Sequence, residues 1–397
     1  MTARMKQMGK TCGYYLLMVS GCFFGSFILS CDVYYFIPSG AYIEQYGFPH
    51  ELMFSVHAGE HFHYIMQQWL FALWNWKVYQ AFGLYGVLFC GYLTNIAFLL
   101  LLHRLLLCVS GGRRGLAFTE TFLAGFFVLM LDTGRPYTLT CCFLLIELIF
   151  LQQLRAHPAL RRCGYVLFPL LSVLEINLHA AMWPMLLIFL LPYFFESTLG
   201  RLTFFLLAVV SLLFVLLCAV QLFRRRAQAA ALASGNLRLT TAILAFFLLP
   251  LFALKWQPPQ MVSPALARSA DILLAEEQPS ALRLYTGYDE GGYMEFRGIP
   301  SYLDTRAEVF LPALNWQEDV LKEYLDFIYG RLDYREFQQR NHFTHLLTTD
   351  DDPLYTYLAA DPDYVLLYDS AEDDSHSEVQ QQEKKRIRLY AYRPAVQ

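Results

Sequence analysis

The chain has 397 residues, a net charge of −4, 56% hydrophobic side chains and only 16% charged ones, against about 25% charged in an ordinary soluble protein. The slightly acidic balance and the lack of a basic stripe exclude a nucleic-acid footprint. All nine cysteines lie at or before Cys218, so the C-terminal part carries no disulfide framework. With no CxxC or zinc-type Cys/His spacing, the thiols read as small apolar packing groups.

Residues 11–256 are a series of apolar runs with short polar breaks, whereas charged residues and tyrosines recur every few positions from Gln257 onward. Arg4, Lys6 and Lys10 precede the apolar stretch 14–29. That run continues through Phe36 without a small-residue cleavage site, which predicts a signal anchor, not a removable leader. Further runs of low charge predict spans near 12–36, 84–107, 116–132, 137–153, 164–178, 180–196, 201–223 and 238–256. The stretch 67–82 mixes Trp69, Trp74, Trp76 and Tyr79 with Gln67, Gln68, Asn75 and Lys77, the pattern of a helix lying in the membrane interface.

Lysine and arginine in short loops set the orientation. The N-terminal cations, the Arg104/Arg113/Arg114 loop and the Arg155/Arg161/Arg162 loop fall on one side, the cytoplasm, and the loop 37–68 then faces outward. Eight full spans would put the C-terminal domain inside and Arg224, Arg225 and Arg226 outside, against the rule. One re-entrant segment between 164 and 223 reverses both, and that outward placement is preferred. Beyond the Gln257, Pro258, Pro259 break, short β-type runs alternate with helical ones. The expected architecture is a membrane all-α bundle of eight to nine transmembrane helices plus an interfacial helix (1–258), followed by a small soluble α/β domain (259–397).

Ionisable groups near membrane depth are costly and therefore functional candidates. Asp32 closes the first span just before Tyr34 and Tyr35, where a partly desolvated carboxylate can act as a base or simply face water. Asp132 closes the third, followed by Gly134, Arg135 and Pro136; acid and guanidinium either pair or share a site with Asp32. Two acids and one anion-binding cation on one face suit group transfer from a phosphate-bearing donor. The outer loop adds His50, Glu51, His57, Glu60, His61 and His63. Its HxxxH spacing is a weak metal signal, so a divalent ion is allowed and not required. Glu147, Glu175, Asn177 and His179 read either as packing pairs between helices or as cavity lining. No Walker loop, GxGxxG or GxSxG occurs.

The run Asp32-Val-Tyr-Tyr-Phe-Ile-Pro-Ser-Gly40, with Gly47-Phe-Pro49, Phe54-Ser55-Val-His57, Gln67-Gln-Trp69, Arg135-Pro136, Asn177-Leu-His179, Gly291-Gly-Tyr293 and Leu303-Asp-Thr-Arg306, resembles bacterial GT-C-type membrane glycosyltransferases. These are distant relatives of the protein O-mannosyltransferases and the aminoarabinose lipid A transferase. The resemblance implies a multi-pass enzyme of the cell membrane that moves a sugar from a polyprenyl-phosphate donor to a glycan or protein acceptor outside. It implies Asp32 as catalytic base and Asp132 as a second functional acid. Arg135 and His179 are expected to bind the donor phosphate, and Glu51 and His57 to bind substrate. Relatives carry another Asp shortly before the Phe-Ser pair, where this chain reads His50-Glu51-Leu52-Met53, and the bundle between Glu196 and Gln257 is shorter than theirs. The competing reading is a shortened, inactive relative that binds a glycan or a partner protein, with Tyr285, Tyr288, Tyr293, Tyr302 and Trp316 available to stack on sugar rings. A transporter is disfavoured because paired repeats are not apparent.

Overall fold

The computed structural model describes residues 3–20, 29–58, 60, 62–128, 134–187, 262–372 and 385–394. The chain forms two compact units, Met1–Ile28 with Val87–Pro259, and Leu29–Gly86 with Gln260–Gln397.

The first unit is helical among its described residues. It holds α1 (Ala3–Ser20) and the C-terminal part of α3 (Trp69–Val109), then α4 (Arg114–Val128), α5 (Tyr137–Ala156) and α6 (Arg161–His179). Met18, Val19 and Leu99 are buried together, with Tyr14, Ile96 and Phe118 against them. Tyr14 also hydrogen-bonds His103 (3.2 Å), which satisfies these two polar groups inside the apolar unit.

The expected eight to nine transmembrane helices are not what the structure shows. Among the described residues, three helices are long and apolar enough to cross a membrane: Trp69–Val109, Tyr137–Leu154 and Pro158–Leu187. Hydropathy averages composition over a window and is blind to breaks in the chain. The stretch 12–36 is divided, because 29–31 are not helical and α2 (Asp32–Tyr46) starts after them with Pro38 inside it. Within the stretch 116–132, α4 is described as far as Val128, and residues 129–132 lie outside the described residues. The stretches 164–178 and 180–196 meet through a short 3-10 turn, Ala180–Met182, inside one continuous segment. The expected spans near 201–223 and 238–256 and the arginines 224–226 lie outside the described residues.

Helix α3 is two helices in succession: Gly83 breaks it with φ 65° and ψ −164°, a conformation open to glycine and costly for residues with a Cβ. Its first part, including the aromatic stretch beginning at Trp69, belongs to the second unit.

That unit also contains α7 (Pro264–Glu276), β1 (Leu284–Tyr285), α8 (Gly291–Phe296), α9 (Val320–Ile328), α10 (Tyr334–Asn341), β2 (His345–Thr349), β3 (Tyr364–Asp369) and β4 (Ile387–Tyr392). The strands form one small mixed sheet in the order β1-β2-β4-β3, with β1 parallel to β2 and the other pairs antiparallel. Each longer helix starts at a side-chain cap that satisfies an otherwise orphaned amide: Ser263 accepts from Leu266 N, Asp319 from Lys322 N, and Asp333 from Arg335 N and Glu336 N. Against the sheet lies an aromatic core of Tyr285, Tyr302, Phe337 and Phe343, all fully buried.

The loop after α2 is built into this unit. Leu52 N donates to Phe62 O (2.8 Å) and Tyr64 N to His50 O (3.0 Å), folding residues 50–64 back on themselves. Val56 N then donates to Ser301 O (2.9 Å), and the Ser55 hydroxyl donates to the same oxygen (2.9 Å). Helix α8 packs on the start of α2, with Tyr34 and Tyr293 edge to face at 5.2 Å.

This packing demands a glycine at the first turn of α8. A Cβ at Gly291 would stand 1.7 Å from Leu303 O, so the backbone would have to part. Gly291→Ala is expected to lower the unfolding free energy by about 3 kcal/mol or more. Gly298→Ala, which meets nothing within 4 Å but needs φ +79°, should cost only about 1 kcal/mol. Denaturant titration of both variants checks the ranking, and equal losses would contradict it.

Candidate functional site

The Leu303-Asp-Thr-Arg306 segment runs beneath α8 and buries a guanidinium. Arg306 donates from its backbone N (2.7 Å) and its Nε (2.9 Å) to Asp304 Oδ1, and from Nη2 to Asp304 Oδ2 (2.5 Å) and Glu295 Oε2 (2.8 Å). Both acid side chains are fully buried and that of Arg306 is 1% exposed. Its charge also lies over the rings of Tyr35 (5.2 Å) and Tyr64 (5.5 Å), a cation–π clamp. The Ser301 hydroxyl donates to Glu295 Oε1 (3.0 Å).

Two acids around one cation leave an excess negative charge in a dry place. Burial, and then the Asp304 carboxylate, push Glu295 well above the usual carboxyl range, so Glu295 is the member that keeps a proton. Burial pulls the guanidinium down, but Asp304 and Glu295 more than offset this and hold it well above its ordinary value. Burial raises the neighbouring Tyr64 hydroxyl to about 12.

Asp32 sits beside this cluster. It is the first residue of α2 and half-buried, where a helix N-terminus favours an anion. Its backbone N donates to Ser30 Oγ (3.3 Å), and Cys31 Sγ donates to its Oδ1 (3.9 Å). Its charge acts on Tyr35, Tyr288 and Glu308. The Glu308 side chain reaches solvent, yet its carboxyl is raised, first by desolvation and then by Asp304 and Asp32, with Arg306 opposing. Glu308 and Asp32 are thus electrostatic neighbours at one locality, termed the recess. Tyr288 forms part of the same surroundings: its hydroxyl donates to Thr305 O (2.6 Å) and burial raises it to about 12. Tyr35 donates to Gln68 Oε1 (3.1 Å). The result is a pair of acids, Asp32 and Glu308, among tyrosines, with a fixed cation behind them.

The other sequence candidates fall elsewhere. Glu51 is exposed and bridges His63 in the folded loop. His57 is buried, stacked on Phe62 at 5.1 Å and bonded through Nδ1 to Glu60 Oε2 (2.9 Å), which holds Glu60 below its ordinary range. Asp132 and His61 lie outside the described residues. Arg135, half-buried ahead of α5, and His179, buried at the end of α6, belong to the helical unit, whereas Asp32, Glu51 and His57 belong to the other. Among the described residues, no three His, Cys, Asp or Glu side chains are arranged to hold a metal ion, and the seven cysteines there are free. Tyr285, Tyr293 and Tyr302 are buried and cannot stack on a sugar, which leaves Trp316, 72% exposed, and the half-buried Tyr288.

Sequence reasoning passed over Glu308 and Glu295, and read Tyr288 only as a ring for sugar stacking. The available signal was the Asp-Thr-Arg run at 304–306, with a further acid two residues on. No family model matches the chain, and neither a curated protein nor a solved structure matches it significantly.

Arg306→Met removes the cation and strands two buried acids, which is expected to cost about 3–5 kcal/mol at neutral pH. The sign of the pH effect follows from Glu295. A carboxyl raised in the folded state contributes stability that is full below its ordinary value of 4.5 and is lost as pH rises through its folded value. The variant should therefore recover part of its deficit on acidification from pH ~7.5 to pH ~5, measured by urea unfolding; a deficit that grows on acidification would refute the assignment.

Proposed function

We propose that the protein is a membrane glycosyltransferase of inverting type, moving a sugar from a polyprenyl-phosphate donor to an acceptor hydroxyl outside the cell membrane. The observation that carries this reading is the electrostatic coupling of Asp32 to Glu308 beside the buried Arg306 cluster, at the residue where the GT-C resemblance expects the catalytic base. The three apolar helices long enough to cross a membrane agree with a membrane setting.

In this reading the Asp32 carboxylate takes the proton of the acceptor hydroxyl as that oxygen attacks the sugar's anomeric carbon. The bond from that carbon to the phosphate oxygen breaks, and the phosphate leaves with the electron pair. Glu308, raised by its surroundings, keeps its proton further up the pH scale and donates a hydrogen bond that orients the acceptor. The Asp304–Arg306–Glu295 cluster positions the recess and does not touch the acceptor. The roles of Asp132, Arg135 and His179, and those of Glu51 and His57 in substrate binding, rest on the resemblance alone.

Asp32→Asn keeps the shape and removes the base, so transfer of labelled sugar from the lipid donor in membranes should fall by about 10²–10⁴. Undiminished transfer eliminates the assignment. In the wild type, turnover should decline as pH rises through the raised Glu308 value, because the donor proton is lost; Glu308→Gln should flatten that limb.

A second reading, glycan binding without catalysis, is favoured by Trp316. This residue is held at φ 61° in the left-handed region and stacks on His63 with ring centroids 4.3 Å apart and planes 3° from parallel. Backbone strain held at an exposed ring is a common mark of a binding surface. Here Trp316→Ala should weaken glycan retention by roughly tenfold, the range of one aromatic contact, while Asp32→Asn leaves it intact. Retention that is indifferent to Trp316 removes this reading.

A further inference from the structure

The helical unit contains a second concentration of acid that the transfer reading does not use. Glu147 on α5 and Glu175 on α6 are both fully buried, and their charges act on one another. Both oxygens of Glu147 and Oε2 of Glu175 are buried without a hydrogen-bond partner. Among the described residues no lysine or arginine pairs with either acid. Two bare carboxylates facing each other away from water repel strongly and have lost their hydration, so the pair needs a positive ligand small enough to share their space. That ligand is a proton.

The route by which it arrives is also present. Thr140 lies two turns before Glu147 on α5, and His179 one turn after Glu175 on α6, so all four fall along the contact between the two helices. The Thr140 hydroxyl donates to Glu175 Oε1 (2.5 Å) and lies 2.8 Å from His179 Nδ1. A hydroxyl has one hydrogen, already given to the carboxylate, so His179 Nδ1–H is the donor to Thr140 Oγ1. His179 retains 8% exposure, and its remaining nitrogen, Nε2, is the receiving end.

We propose that Glu147 and Glu175 form a proton-binding pair fed by a His179–Thr140 relay. A proton taken from water at His179 Nε2 lets Nδ1 release its own to Thr140 Oγ1, and Thr140 passes its original hydrogen to Glu175. The carboxylate gains one proton, water loses one, the hydroxyl is unchanged in composition, and the imidazole ends as its other tautomer. Within the described residues, the titratable neighbours of the pair are His179 and Cys141, whose thiol feels Glu175. The proposal stands apart from the reading of Asp32 and holds whether or not the chain transfers a sugar.

Infrared spectroscopy of the full chain in lipid vesicles tests it through the carbonyl band of a protonated carboxylic acid, which moves down on exchange into heavy water. At neutral pH the wild type should show such a band, and the double variant Glu147→Gln, Glu175→Gln should show it diminished by the share of this pair, leaving only the contribution of acids elsewhere in the chain such as Glu295. Thr140→Val should keep the band, which also reports that the helices still pack, but exchange it about tenfold more slowly, as loss of one relay hydrogen bond implies. A spectrum without the band, or a band undiminished in the double variant, overturns the proton pair. Exchange in Thr140→Val at the wild-type rate overturns the relay.

Discussion

A guanidinium cannot be taken out of water unless its hydrogens already have somewhere to go. Arg306 meets most of that condition with groups from three parts of the chain, Asp304 two residues away, Glu295 from α8, and the rings of Tyr35 and Tyr64 from the N-terminal segment, while its Nη1 is buried without a hydrogen-bond partner. The location of α8, α2 and the folded loop therefore follows from one buried charge and its acceptors. Replacing such a cluster by apolar side chains of equal volume often costs nothing in other proteins. Its presence here points to a use for geometry or field, and the recess holding Asp32 and Glu308 is the place where both are felt.

The two acids of that recess differ in a productive way. Asp32 begins a helix, where the backbone amides favour its anion. Glu308 is crowded by protein and by two further negative charges, which favour its neutral acid. Environments that push a pair of carboxyls toward opposite protonation states are how acid and base roles are divided at one pH. The Glu147–Glu175 pair in the helical unit is built differently: it has no cation behind it and a hydrogen-bonded chain leading to it.

Much of the local chemistry could be read from residue order. Asp32 stood out because an acid ends an apolar run, and the Leu303-Asp-Thr-Arg306 motif was noticed although its role was not. Span counting failed for physical reasons. Hydropathy does not register that 29–31 are not helical and a new helix starts at Asp32, that Gly83 turns the chain inside a long apolar run, or that a 3-10 turn at Ala180 joins two runs into one. Sequence offered no sign that Ser55 would meet Ser301, since such a pairing depends on tertiary packing and leaves no periodic trace. Glu308 was missed for a related reason: in sequence it is one acid among 34 acidic residues, and only its neighbours across space make it unusual.

The bond from Ser55 to Ser301 O spans 246 residues. During synthesis the earlier partner is therefore complete long before the later one exists. At about 5–20 residues per second, the loop waits roughly 10–50 s for its counterpart, with the faces of Tyr35 and Tyr64 uncovered and no guanidinium between them. A ribosome stalled, or a chain cut, before residue 306 leaves an N-terminal half whose recess has only one of its acids. The juxtaposition of Asp32 with Glu308 is thereby tied to synthesis past residue 308.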